Sequence, residues 1–187
     1  MSQPSFTRSF TKIYRKGPYP SISPTLPALS AAGKTVLITA GHTGIGYAIA
    51  TNFAIAGAAH VVIVGRRADV LEKASHELAM AHPATKFHIF AASITDVDKV
   101  HTMFEEIRRD IMEPDILVTS AAQFTAPTTT FETSVQQISA SFETNVTANL
   151  TLVQDFLGHA ASRSSGAAAP RNRSGPSSLT VQTVRSV

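Results

Sequence analysis

The residues best suited to chemistry sit in one turn, Thr39-Ala40-Gly41-His42-Thr43-Gly44-Ile45-Gly46. Glycines let the backbone approach a ligand closely. A helix starting behind them offers N–H donors and a dipole that favours an anion. The chemistry implied is phosphate binding, through Gly41, Thr43, Gly44, Ile45 and Gly46. A second candidate group is Arg66-Arg67, two guanidiniums suited to a phosphate oxyanion. Other constellations carry less. His76, Glu77 and His82 mimic a zinc-binding helix, but six residues turn the second His about 240° from the first. The chain has no Cys, so disulfides, thiolate metal sites and Cys nucleophiles are excluded. We expect no metal site.

These residues need a scaffold, and the hydrophobic pattern supplies one. Thr35–Thr39 is a continuous apolar run of strand length that leads straight into the glycines. Gly44–Ala56 follows with helical spacing, Ile45, Ile49, Phe53 and Ala56 on one face. His60–Val64 reads as a second strand, and Ala68–Ala81 as a helix with Val70, Leu71, Ala74, Leu78 and Ala81 in a stripe. Lys86–Ala91 is a third strand. Asp96–Met112 is a helix with Asp96 near its start and Val97, Val100, Phe104, Ile107 and Ile111 on its core face. Asp115–Thr119 is a fourth strand. Phe131–Leu157 reads mainly as one helix, with Val135, Ile138, Phe142, Val146, Leu150, Val153 and Leu157 facing inward. Strands and helices that alternate in this way imply a doubly wound α/β fold: a parallel sheet covered by helices on both faces.

The flanks differ from this domain, which spans residues 34–157. Residues 1–33 hold half of the ten prolines and show no periodicity, so they read as an extended arm. Residues 158–187 read as a low-complexity tail, in which Leu179–Val184 either adds a strand to the sheet or belongs to the tail. Charge is unevenly placed: the first carboxylate is Asp69 and the last Asp155, so both ends are basic while the net charge is only +3. No dense Lys/Arg run with interleaved aromatics is present, which argues against a nucleic-acid partner. No apolar run approaches membrane-spanning length, and no secretory signal is visible. A cytoplasmic location is the expectation, with a mitochondrial one as the alternative because residues 1–16 are acid-free and rich in Ser, Thr, Lys and Arg.

The glycine turn after Val36-Leu37-Ile38-Thr39 resembles the T-G-x-x-x-G-x-G signature of short-chain dehydrogenases/reductases. The resemblance continues through Gly65-Arg66-Arg67, Asp115-Ile116-Leu117-Val118 and Phe142-Glu143-Thr144-Asn145-Val146, in the family's order and spacing across residues 34–157. It implies a Rossmann-like sheet and a nicotinamide dinucleotide, with Ser93 and Ile94 after the third strand and Ser120 and Ala121 after the fourth lying along the cofactor. Three positions depart from the pattern. Ala40 stands where the first signature glycine is usual, Ser93 replaces an Asp, and Thr119-Ser120-Ala121-Ala122 replaces N-N-A-G. The cofactor expected is NADP rather than NAD. A site for the free ribose 2′-hydroxyl places a carboxylate about 20 residues past the glycine turn, whereas here Gly65 holds that place and Arg66 and Arg67 follow.

The same resemblance implies a carbonyl or alcohol substrate and a Tyr acid/base with a Lys four residues on. Tyr occurs only at positions 14, 19 and 47, and no Lys follows Lys99, so no such pair exists in the chain. Asn145 matches the family's water-anchoring Asn, or else serves only to cap or stabilise a kink in its helix. Ser186 matches the substrate-orienting Ser if Thr183-Val184-Arg185-Ser186 aligns after a fifth strand. Three readings follow. The chain is a C-terminally truncated or degenerate reductase, or a non-catalytic dinucleotide- or partner-binding module. The third is a reductase with an unrecognised acid such as His159, or with a site completed by another chain. The helix 132–157 would carry any homo-oligomer contact, leaving Phe142, Val146 and Val153 partly uncovered in a lone chain.

Overall fold

The computed structural model describes Arg15 and residues 17–124, 129, 131–165 and 181–183. Strands β1 (Thr35–Thr39), β2 (His60–Gly65), β3 (Lys86–Ala91), β4 (Ile116–Thr119) and β5 (Val181–Thr183) form one sheet. Their order is β3-β2-β1-β4-β5, and every pairing is parallel. β1 lies in the middle, which explains its unbroken apolar character: both of its faces are covered, and Val36, Leu37 and Ile38 are fully buried. Alternation along β1 divides the core in two. Val36 and Ile38 pack with Ala50, Leu71 and Leu78 on one side. Leu37 packs with Phe104, Leu152 and Phe156 on the other.

The first side is covered by α1 (Gly44–Ile55) and α2 (Ala68–Ala81). α1 buries Gly46, Ala50 and Ala54, not the stripe of Ile45, Ile49, Phe53 and Ala56 that its sequence suggests. Ile49, Phe53 and Ala56 only flank the core, and Ile45 is 46% exposed. Small residues win because the turn lies close against α1: a Cβ on Gly46 would clash with the carbonyl oxygen of Ala40. On α2, Leu71, Ala74 and Leu78 are buried as the spacing predicts, while Ala81 is exposed.

The second side is covered by α3 (Val97–Glu106), which a π turn (Ile107–Ile111) extends, and by α5 (Ala148–Ser165). The Asp96 side chain caps α3, accepting from the Lys99 backbone N–H at 3.2 Å. Val97 is exposed and Met103 takes its place in the core. The expected long helix is α4 (Val135–Phe142), a π turn (Glu143–Thr147) and α5 in succession. Its inward stripe is a correction: Val135, Ile138, Phe142, Val146 and Leu150 are all exposed. The buried residues of α5 are Ala148, Leu152 and Phe156, with Val153 and Leu157 packed partly against them.

The helix also runs through position 158 to Ser165, within the stretch expected to be tail. Within Leu179–Val184, Val181–Thr183 pairs with β4, Leu117 opposite Val181. Ser186 lies outside the described residues. The arm is not extended throughout: Pro20–Ile22 and Pro27–Leu29 form 3-10 turns. Its end joins the domain, with Ala31 buried and its N–H donating to Ala56 O at 2.8 Å. Among the described residues, no helix is long and apolar enough to cross a membrane.

Candidate functional site

A cleft of about 670 Å³ opens where the carboxyl ends of β1, β2, β3 and β4 meet. Ligands of open α/β sheets gather at such a place because loops diverge there to either side. The glycine turn forms one wall. Ala40 N–H donates to Val64 O at 2.7 Å, tying the turn to β2. Ala40 adopts φ +52°, left-handed backbone that a side chain rarely takes. Gly41 does not relieve it. Its own task is close packing, since a Cβ there would meet Ile63 Cγ2 at 2.6 Å. Gly44 also has positive φ, +54°. Thr43 precedes α1 with no side-chain hydrogen bond to the helix, so its first N–H groups are not capped by Thr43.

The opposite wall is held by two polar clasps. Thr39 is fully buried, and its hydroxyl oxygen accepts from Ser120 N–H at 3.0 Å and Ala121 N–H at 2.9 Å. This fixes the chain as it leaves β4. Two residues on, the Asn145 amide grips the backbone of Gln123: its Oδ1 accepts from Gln123 N–H at 2.9 Å, and its Nδ2 donates to Gln123 O at 2.7 Å. Asn145 lies in the π turn, and Asn149 Nδ2 donates to its carbonyl at 2.9 Å. The family-like Asn is thus engaged in positioning the loop beside the cleft. After β3, the Ser93 and Thr95 hydroxyls lie 2.9 Å apart.

The structure brings together Thr43, Arg66, Arg67, Ser93, Ile94 and Ala121 around the cleft. Gly41, Gly44, Ile45, Gly46, Ser120 and Asn145 shape or adjoin its walls without lining it. Two lining features escaped the sequence reading. His42 lies against Gly65, and Glu143 and Thr144 reach the cleft from the π turn. His42 was legible only as a polar residue between glycines; nothing in a single sequence couples it to a residue 23 positions away. Burial, then the positive charges of Arg67 and Arg66, hold the His42 imidazole below the usual histidine pKa. Its Nδ1 is buried with no hydrogen-bond partner among the described residues.

Comparison with known proteins now decides the family. Residues 34–169 match the short chain dehydrogenase family. The chain belongs to that family. A short chain dehydrogenase/reductase from Claviceps purpurea is 36% identical over 144 residues, covering 77% of this chain and 48% of the relative. The short chain dehydrogenase/reductase AacuD of Aspergillus aculeatus is 34% identical over 147 residues, 79% of this chain and 50% of its own. Among solved structures, L-sorbose reductase from Gluconobacter frateurii, crystallised with NADPH and L-sorbose, superposes with a TM-score of 0.65 at 28% identity. It covers 72% of this chain and 50% of that one. A Mycobacterium marinum short-chain type dehydrogenase/reductase, at 24% identity, shares the fold with a TM-score of 0.68. This short-chain dehydrogenase chain spans about half the length of the curated relatives it matches.

Proposed function

We propose that these residues form the dinucleotide-binding part of an oxidoreductase, and that the cofactor is NADP(H) in preference to NAD(H). The cleft fits such a cofactor on its own chemistry. Gly44 leaves open space at the start of α1 where a Cβ would stand, the first N–H groups of α1, uncapped by Thr43, favour a phosphate, and two guanidiniums line the cleft after β2. Gly41, Thr43, Gly44 and Gly46 would hold the pyrophosphate, and Ser93, Ile94 and Ala121 would flank the adenosine and nicotinamide portions. The bound nicotinamide would supply or accept a hydride. A carbonyl or alcohol substrate belongs to the same reading of the whole protein. The 187 residues contain no Tyr-x-x-x-Lys pair, so the part described here binds and orients the cofactor without its own positioned acid.

One observation carries the cofactor preference: Gly65 ends β2 and Arg66 and Arg67 follow it at the cleft, with no carboxylate on that strand end. Glu143, the carboxylate among the lining residues, comes from the π turn after α4. A charge-assisted contact to phosphate contributes about 1.5–3 kcal/mol when desolvated, and less for an exposed Arg. Titration calorimetry should therefore give tighter binding of NADP+ than NAD+, with Arg66→Ala losing on the order of tenfold of that preference. Equal affinities, or tighter NAD+, overturn the reading.

A further inference from the structure

The end of β2 is where a carboxylate would grip a free ribose 2′-hydroxyl, and in this chain another side chain fills that volume. A Cβ built on Gly65 would fall 2.5 Å from His42 Cε1 and 2.6 Å from its Nδ1. No side chain fits at position 65 while the imidazole stays where it is. The ring reaches this place from the glycine turn because Ala40, in its left-handed conformation, turns the chain towards β2. His42 lines the cleft; its Nδ1 is buried against Gly65, and Nε2, 3.5 Å from the same built Cβ, is the ring nitrogen less enclosed by Gly65.

We propose that His42 determines cofactor specificity by distinguishing an adenosine 2′-phosphate from a 2′-hydroxyl, in the volume that a carboxylate from position 65 would otherwise occupy. The inference rests on the dinucleotide reading and adds a residue and a proton to it. The charged groups lining the cleft are Arg66 and Arg67 after β2 and Glu143 in the π turn; the segments after β3 and β4 contribute Ala92–Thr95 and Ala121–Phe124, none of them charged. In the free protein burial, and then the charges of Arg67 and Arg66, hold the His42 pKa below the usual histidine value and disfavour the imidazolium. A phosphate dianion set among these groups offsets the arginine charge and favours the imidazolium, whose N–H donates to a phosphate oxygen. Binding of the 2′-phosphorylated cofactor therefore takes up a proton at His42, and the affinity gained from His42 grows as pH falls. A 2′-hydroxyl brings no charge, so NAD+ gains nothing.

The test is calorimetric and needs no turnover. NADP+ and NAD+ are titrated into the wild type, His42→Gln and Gly65→Ala between pH 6 and 8.5, in buffers of different ionisation heat. The phosphate's own titration, near pH 6, is common to all variants, so the ratio of wild type to variant isolates His42. For NADP+, that ratio should rise from under about twofold at pH 8.5 to about tenfold at pH 6. For NAD+ it should stay within about twofold throughout. Gly65→Ala adds no charge but displaces the ring, so it should reproduce the His42→Gln profile, and both variants should lose the proton uptake seen with wild type. If His42→Gln leaves the NADP+ pH profile and proton uptake unchanged while Arg66→Ala still removes the preference, the inference fails and the cofactor reading stands. If Arg66→Ala also leaves the preference unchanged, the cofactor reading fails and this inference falls with it.

Discussion

At the scale of single residues, the site is shaped by what lacks a side chain and by one residue that has one too many. Gly41, Gly46 and Gly65 each leave a volume that β2, the turn and His42 fill. Ala40 does the opposite, holding a methyl group at φ +52°. Left-handed backbone costs a residue with a Cβ roughly 1–2 kcal/mol relative to glycine. Ala40→Gly should therefore stabilise the chain by about 1 kcal/mol, less the entropy glycine adds to the unfolded state. Chemical denaturation should show a higher midpoint at unchanged slope; a lower midpoint would mean that the turn gains more from the methyl contact than it loses in strain. Thr39 shows how a residue can matter to a site without touching a ligand. Its hydroxyl holds two partly buried backbone N–H groups of the turn after β4, and without it both would lose that partner.

At the scale of elements, β2 and β3 share a histidine pair away from the cleft. His60 Nδ1 and His88 Nε2 lie 3.0 Å apart, with ring centroids separated by 5.3 Å. One proton suffices for this hydrogen bond, and a second would place two like charges together. Burial first, then Lys86, lowers the pKa of His60; burial, then His60 and Lys86, lowers that of His88. Both folded values thus lie below the unfolded one of about 6.5. Stability from the pair is complete above about pH 6.5 and is lost as pH falls through the lowered folded values, because the unfolded chain then binds more protons. His42 contributes with the same sign. Thermal melts of the wild type should show Tm declining from pH 7.5 to 5.5, and His88→Gln should flatten that decline. Parallel curves for the two proteins would show that the pair does not control acid stability.

At the scale of the whole molecule, the two cores are well covered but one helix face is not. Val135, Ile138, Phe142, Val146 and Leu150 run along α4, the π turn and α5, each between 47% and 74% exposed. A contiguous apolar stripe of this kind favours association. A chain of these 187 residues should self-associate with rising concentration and bind a hydrophobic dye, and Ile138→Glu with Phe142→Glu should suppress both. A single monomer peak at all concentrations, with no dye binding, would contradict this expectation. The sequence by itself determined much of the fold. β1 reads as a doubly covered strand, α2 has Leu71, Ala74 and Leu78 at helical spacing, and Asp96 announces α3, because these signals are local and periodic. The glycine turn and Arg66-Arg67 were legible for the same reason: strand–turn–helix chemistry is encoded within a few neighbouring residues. Tertiary structure decided the rest. α1 turned its small residues inward because the turn lies close against it. The stripe of α4 and α5 faced outward because periodicity identifies an apolar face but not what covers it. His42 joined the site only through the parallel pairing of β1 with β2, which brings residues 42 and 65 together; only the closed sheet creates that proximity.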